Sequence, residues 1–124
     1  MLGASVTREA LAQGFKVKAQ ILPGSNRDVL ADLNIEITEG NILDSDFLDR
    51  ELSNCQFVIN IAALTTIWPR RLQSIYEVNL QGVKNIASVA RKYGLQRMVQ
   101  IGTANSFNHG TKDNPGNELQ NYTG

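Results

Sequence analysis

The sequence predicts an α/β protein built on a parallel sheet. Helical and strand patterns alternate along its 124 residues, and such alternation is typical of parallel strands joined by right-handed helical crossovers. Residues 56–61 are almost continuously apolar, which is the pattern of a strand covered by helices on both faces. An apolar fraction of 42% is enough for a packed core and argues against a disordered chain.

Four helices are predicted from the spacing of apolar residues and from residues that begin or end helices. Gly14 stands where a helix would end, and Asp44 is a good N-cap for a helix that follows it. The longest helical pattern has apolar residues three and four positions apart and closes at Gly94. The predicted helices cover residues 3–13, 27–33, 45–52 and 70–93.

Four strands are predicted between these helices, at residues 16–22, 35–38, 56–61 and 97–101. From Gly102 onward the chain is polar, rich in Asn and Gly and without periodicity, so it is predicted to be a loop. The pattern opens on a helix, whereas the first strand of a doubly wound dinucleotide-binding fold lies at the centre of the sheet. We therefore expect the first two predicted strands to lack a neighbour that joins them to the last two.

Charge and cysteine content narrow the class of protein. The 12 Lys and Arg residues balance the 12 Asp and Glu residues, which removes the usual electrostatic case for a nucleic-acid binder. A single cysteine, Cys55, excludes an internal disulfide framework. No apolar run approaches the ~20 residues that cross a bilayer, and no signal-peptide pattern is visible. We expect a cytoplasmic protein without a nucleic-acid or membrane partner.

Five short motifs lie along the chain, most of them where predicted strands end. Gly3 resembles the third glycine of Gly-x-x-Gly-x-x-Gly, and residues 40–44 resemble Gly-Asp-Leu-x-Asp. Residues 60–65 resemble a His-x-Ala-Ala stretch, and residues 76–82 match Tyr-x-x-Asn-x-x-Gly. Residues 97–104 resemble the fifth strand of a doubly wound fold together with the hydroxyl-bearing residue that follows it. In this order the motifs resemble the NAD(P)-dependent epimerase/dehydratase family of extended short-chain dehydrogenases, with dihydroflavonol-reductase-like members as the nearest group.

The resemblance implies a Rossmann-like, doubly wound parallel sheet that lacks its first, central strand. Residues 1–124 would then be part of an NAD(P)-binding domain, without the C-terminal region that binds substrate. The implied activity is hydride transfer between nicotinamide and the carbonyl or alcohol of a sugar nucleotide or other small molecule. The longest helix is a common dimer face in such proteins, so a homodimer of the full-length protein is also implied.

The resemblance assigns one catalytic residue and six cofactor-binding residues. Thr103 follows a buried strand and matches the Ser/Thr that hydrogen-bonds the substrate oxygen, with Ser106 as an alternative. The structural interpretation of Thr103 is a capping or turn hydroxyl. The expected cofactor contacts come from Gly3, Asn41, Ile42, Ala62, Ala63 and Asn79. Each of the two asparagines also has a purely structural interpretation: Asn41 as a turn residue, and Asn79 as a buried brace between the helix and a strand end.

Two questions stay open at this point. Relatives that use NADP often carry Arg where this chain has Leu22, and Arg27 could compensate or could be a surface charge, so the cofactor is NAD or NADP. The family's Tyr-x-x-x-Lys motif, in which Lys lowers the pKa of the catalytic Tyr, does not occur in the sequence. We expect the motif to lie beyond Gly124 and this chain alone to be inactive. The alternative is a non-catalytic NAD(P)-binding regulatory or sensor module of the same fold.

Overall fold

Four short strands form the sheets in the part of the chain that the structure describes. The structure is a computed structural model that describes residues 2–65, 73–107 and 109–121, with the backbone alone at Asn105. Each strand lies within its predicted segment or one residue beyond it. The strands are β1 Lys18–Ile21, β2 Glu36–Glu39, β3 Phe57–Asn60 and β4 Arg97–Gln100.

The helices follow the prediction with two differences. Residues 27–33 form only a single 3₁₀ turn, Asp28–Leu30, in place of a helix. The longest helix contains a π-helical turn, and residues 70–72 of its predicted range lie outside the described residues. The helical elements are α1 Leu2–Ala12, α2 Ser45–Leu52, α3 Gln73–Tyr76, the π turn Glu77–Gly82 and α4 Val83–Lys92.

The strands pair in two separate parallel sheets. β1 pairs with β2, with Lys18 opposite Glu36, and β3 pairs with β4, with Phe57 opposite Arg97. Among the described residues no strand joins one sheet to the other. The sequence predicts this division into two pairs of strands, because its pattern begins with a helix and offers no strand to join the first pair to the second.

The core lies between α2, α4 and one face of the β3–β4 sheet. Asp44 caps α2, since its side chain accepts a hydrogen bond from Phe47 N at 3.0 Å. Val58 and Met98 pack against this cluster from the sheet. The buried residues of the cluster are Ile42, Phe47, Leu48, Leu52, Ile86 and Val89.

The prediction that residues 56–61 are buried on both faces is wrong for this structure. Phe57 and Ile59 point to the face opposite the core and are 42% and 44% exposed, and Val99 beside them on β4 is 40% exposed. The physical reason is that α2 and α4, which form the core, cover only the face that carries Val58 and Met98.

Two motif glycines are required by close packing. A side chain at Gly40 would overlap the ring of Phe47, and one at Gly82 would overlap Cδ1 and Cγ1 of Ile42. Both partners are buried in the core. The glycines of the second and fourth motifs therefore let one connecting segment, the one after β2, lie close to both α2 and the π turn.

The segment after Gly102, predicted as a loop, contains two small ordered features. A 3₁₀ turn spans Ala104–Ser106, and an isolated antiparallel bridge joins Gly110 to Pro115. Within the described ranges, none of the helices is both long and apolar enough to span a bilayer.

Candidate functional site

Parallel pairing brings the carboxyl ends of neighbouring strands together, and an amide side chain links them in the first sheet. Gln20 Nε2, near the end of β1, donates to the carbonyl oxygen of Ile21 at 3.2 Å and also to that of Gly40, just after β2. This contact ties the end of β1 to the segment that carries Asn41, and it fixes the spacing of the two strand ends.

An ion pair lies at the same end of this sheet. The guanidinium of Arg27, in the connection after β1, contacts Glu39 Oε1, the last residue of β2. The side chains are 54% and 35% exposed respectively. Arg27 is therefore not a free surface cation: a carboxylate at the strand ends holds it.

Asn41 and Ile42 follow β2, and both have structural partners. Asn41 Oδ1 accepts a hydrogen bond from Leu43 N at 3.0 Å, which is the contact of a turn residue. Ile42 is 5% exposed and its side chain packs on Gly82 in the core. Its carbonyl oxygen accepts from Asn85 Nδ2 at 3.2 Å. A ligand at this position would therefore meet the backbone of Ile42 and the amide of Asn41.

A pair of amide side chains, one buried and one exposed, links the ends of β3 and β4. Asn60, only 4% exposed, donates through Nδ2 to Gln100 Oε1 at 2.7 Å. Its Oδ1 accepts from Ala62 N at 3.2 Å. Gln100 Nε2 in turn donates to the carbonyl oxygen of Ile101 at 2.8 Å. The pair positions the segments that follow both strands.

Asn79 on the π turn braces the segment after β3. Its Oδ1 accepts from Leu64 N at 2.7 Å, and its Nδ2 donates to Leu64 O at 2.9 Å. The expectation that this side chain is buried is wrong, because Asn79 is exposed. The contact itself is that of the brace: the amide satisfies both polar backbone groups of one loop residue.

The candidates at the second sheet lie close in sequence to paired strand ends. Ala62 and Ala63 are exposed and follow β3 by two and three residues. Thr103 is exposed and follows β4 by three residues; its carbonyl oxygen accepts from Ser106 N at 3.2 Å. Since β3 and β4 are adjacent, the structure brings these three residues to one edge.

Gly3 stands apart from this group. It lies in α1, and a side chain built on it would meet no described atom within 4 Å outside its own stretch of helix. The close packing that the glycine motif implies is thus not seen between Gly3 and the described residues.

A shallow cavity of about 390 Å³ opens at Ala104, the residue that follows Thr103 in sequence. It is lined by Ala104, Phe107, His109, Gly116, Asn117 and Glu118. In the described ranges no three residues among His, Cys, Asp and Glu cluster closely enough to hold a metal ion.

The groups with shifted pKa values belong to ion pairs away from the carboxyl ends of the strands. A hydrogen bond from Lys18 at 3.0 Å lowers the pKa of Glu51. This hydrogen bond joins the start of β1 to α2. A hydrogen bond from Arg8 at 2.6 Å lowers the pKa of Asp32. These pairs hold elements together and do not tune a group for proton transfer.

Sequence reasoning did not single out Gln20, Gln100 or Asn85 as residues that organise the strand ends. Two of them follow a usable pattern: Gln20 is the third residue of the four-residue β1, and Gln100 is the last residue of β4. An amide at such a position can bond across to the neighbouring strand. Asn85 gave no comparable signal, since a polar residue within a helix is ordinary.

Comparison with known proteins identifies the family. Residues 1–123 match the model of the NAD dependent epimerase/dehydratase family. The chain belongs to this family. The resemblance that the five motifs carry is therefore confirmed.

Members of the family with similar sequences include a reductase-like and a dehydratase protein. A Synechocystis sp. protein with the provisional name dihydroflavonol 4-reductase is 33% identical over 98 residues, 79% of this chain and 28% of that protein. The dTDP-D-glucose 4,6-dehydratase of Dictyostelium discoideum is 32% identical over 94 residues, 72% of this chain and 22% of that protein. The chain thus spans less than a third of the length of each.

Solved structures show the same fold. The UDP-glucose 4-epimerase of Thermus thermophilus, in complex with NAD, superposes with a TM-score of 0.82 at 19% identity, covering 98% of this chain and 41% of that one. The structure of gox2253 gives a TM-score of 0.79 at 22% identity, covering 91% of this chain and 34% of that one. The predicted Rossmann-like α/β fold is confirmed.

Proposed function

We propose that this chain supplies the NAD(P)-binding part of an oxidoreductase or nucleotide-sugar epimerase/dehydratase. The activity would be hydride transfer between nicotinamide and a substrate carbonyl or alcohol. The single observation that carries the proposal is the clamp of Asn79 on Leu64. It joins the fourth family motif to the third and holds the segment after β3 at the edge where open α/β sheets bind ligands.

The residues at this edge fit a dinucleotide. Ala62 and Ala63 are small and exposed, so a flat group can approach their backbone, and this backbone is braced on both sides by Asn60 and Asn79. Asn41 presents an amide beside the end of β2, where it could face an adenine amino group. NAD(P), when bound, would supply the hydride donor or acceptor. The role of this chain would be to bind and orient NAD(P) and to exclude water from the flat faces of its rings.

Thr103 is the residue that we propose for substrate contact. Its hydroxyl would hydrogen-bond the substrate oxygen that changes oxidation state, and the cavity at Ala104 would admit a sugar nucleotide or a smaller ketone or alcohol. The names of the solved relatives support this class, since one is a UDP-glucose epimerase and another was solved with NAD and UDP. We also propose that the longer protein is a homodimer.

A second candidate function is an NAD(P)-binding module without turnover. The observation that favours it concerns Tyr76 and Tyr93: Leu80 stands four residues after the first and Arg97 four residues after the second, where the catalytic motif has Lys. On either proposal, residues 1–124 bind cofactor but do not turn it over. Measurable NAD(P)-dependent turnover by this chain alone would contradict both.

Calorimetric titration of the whole chain with NAD tests the binding proposal. Ala63→Trp should weaken NAD binding at least tenfold, because the indole would fill the space over the braced backbone. Ala87→Trp is the matched control, since Ala87 is also exposed but lies on α4. A wild-type chain that folds and binds neither NAD nor NADP would overturn the proposal, as would equal effects of the two substitutions.

A further inference from the structure

The ion pair between Arg27 and Glu39 has a position that bears on cofactor choice. Arg27 follows β1 and Glu39 ends β2, so the pair lies at the carboxyl ends of two adjacent parallel strands. At this end of a dinucleotide-binding fold an acidic side chain hydrogen-bonds the ribose 2′-hydroxyl of NAD, or an arginine accommodates the 2′-phosphate of NADP. Both kinds of group are present here, and each is bonded to the other.

The sequence of the two strands and their connection offers this edge one cation. Arg27 is the only Lys or Arg in the sequence between residues 19 and 49, a stretch that contains β1 from its second residue, all of β2 and the start of α2. Leu22, directly after β1, is apolar and 56% exposed. Any recognition of a 2′-phosphate from these two strands would therefore depend on Arg27.

Glu39 opposes such recognition in two ways. Its carboxylate engages one terminal nitrogen of the guanidinium and so competes with a phosphate for this cation. It also places a negative charge beside the position where the phosphate would lie, and like charges repel at this range. A ribose hydroxyl meets neither obstacle, because it is uncharged and can donate to a carboxylate.

We propose that the Arg27–Glu39 ion pair makes this chain selective for NAD over NADP. The inference rests on the proposed function, because it requires the dinucleotide to bind at the strand ends. In this proposal Glu39 determines the specificity for NAD over NADP, because its ion pair keeps Arg27 from binding the 2′-phosphate.

The test measures the dissociation constants of the whole chain for NAD and NADP by calorimetry. The wild-type chain should bind NAD at least tenfold more tightly than NADP. Glu39→Gln should tighten NADP binding by about tenfold, since it releases Arg27 and removes the opposing charge, while the NAD constant changes less than threefold. In the double variant Arg27→Ala, Glu39→Gln, the gain in NADP affinity should disappear.

Glu36→Gln is the matched control. It makes the same change of net charge in the same strand, at the opposite end of β2 and also on an exposed residue. Adenosine 2′,5′-bisphosphate, followed by ³¹P NMR, should bind Glu39→Gln more tightly than wild type and report on the 2′-phosphate directly.

The outcomes separate the two proposals. Binding of NAD with the same NADP/NAD ratio in wild type and Glu39→Gln would overturn the specificity role and leave the proposed function standing. An equal shift in Glu36→Gln would also overturn it, because the effect would then be one of net charge. A folded chain that binds neither dinucleotide would overturn the proposed function, and this inference with it.

Discussion

Asn79 holds Leu64 through both atoms of its amide: Leu64 N lies 2.7 Å from Oδ1, and Leu64 O lies 2.9 Å from Nδ2. The two residues are 15 positions apart in sequence, so the clamp joins the π turn to the segment after β3. Asn79 of the fourth motif therefore has a structural role that can be tested separately from any contact with a ligand.

Replacing Asn79 by Ala should free the segment that follows β3. The loss of two hydrogen bonds at an exposed position is expected to cost about 1 kcal/mol of unfolding free energy. Hydrogen exchange of the Leu64 amide should accelerate, because that amide loses its acceptor. Urea unfolding and amide exchange measure the two effects.

Ser88→Ala on α4 serves as the control for Asn79, because it changes an exposed polar residue of the same helical stretch. Its unfolding free energy should stay within about 0.5 kcal/mol of wild type. If Asn79→Ala left the exchange rate at Leu64 unchanged, the clamp would not hold in solution.

Gly82→Ala should destabilise the core. The added methyl group would overlap the side chain of Ile42, which is 5% exposed and cannot move into solvent. Overpacking of this kind is expected to cost about 1–3 kcal/mol. Because Ile42→Val removes the Cδ1 atom that the methyl group meets, the double variant should be more stable than the sum of the two single effects implies.

The control for Gly82 is Gly102→Ala, where a side chain would meet no described atom within 4 Å. Chemical denaturation of wild type and the four variants completes the test. An additive double variant, or equal losses at the two glycines, would show that close packing on Ile42 is not the reason for Gly82.

Gln100→Ala should be more costly than Asn60→Ala, although Gln100 is the exposed member of the pair. It leaves Nδ2 of Asn60, a residue that is 4% exposed, without its acceptor at 2.7 Å, and an unpaired buried donor is expected to cost about 1–3 kcal/mol. Asn60→Ala removes the same hydrogen bond and the one from Ala62 N, but the groups left behind belong to the exposed residues Gln100 and Ala62 and can turn to water. Thermal unfolding of both variants measures the order, and a larger loss in Asn60→Ala would contradict this account of the pair.

The stability of the chain should fall in acid partly through Glu51. A hydrogen bond from Lys18 lowers the pKa of Glu51 from its ordinary value of 4.5. Since the folded pKa lies below the unfolded one, the contribution is fully present above the unfolded pKa and is lost as the pH falls through the folded value. Glu51→Gln should therefore be less stable than wild type at pH 7, and this difference should shrink below about pH 4.

Glu118→Gln, an exposed change of the same kind outside the helices and strands, is the control for the pH series. Its difference from wild type should stay small across the range. A Glu51→Gln deficit that remained constant down to about pH 3 would show that the ion pair with Lys18 does not contribute through its charge.

Local patterns in the sequence were enough to predict most elements. The range 45–52 of α2 agrees at both ends, because Asp44 is a strong local N-cap signal. The four strands differ from their predicted ranges by at most two residues at either end, since turn residues such as Pro23 and Gly40 bound them. The division into two sheets also followed from the order of elements alone.

Features that depend on tertiary contacts could not be predicted in this way. The π turn lies where Gly82 packs on Ile42 and Asn79 reaches Leu64, and neither contact leaves a periodic signal. The exposure of Ile59 depends on which helices cover the sheet, not on its own strand pattern. The pairing of Arg27 with Glu39 likewise needs the register of β1 and β2.

The two separate sheets have a consequence for how the protein behaves at high concentration. In each of them, as far as the structure describes the chain, every strand has one neighbour and so one edge whose backbone N–H and C=O groups meet no partner strand. Such edges are templates for pairing with other chains, and beside the edge of β3 lie the exposed side chains of Phe57 and Ile59. Self-association of this chain should therefore rise steeply with concentration and proceed by the addition of strands.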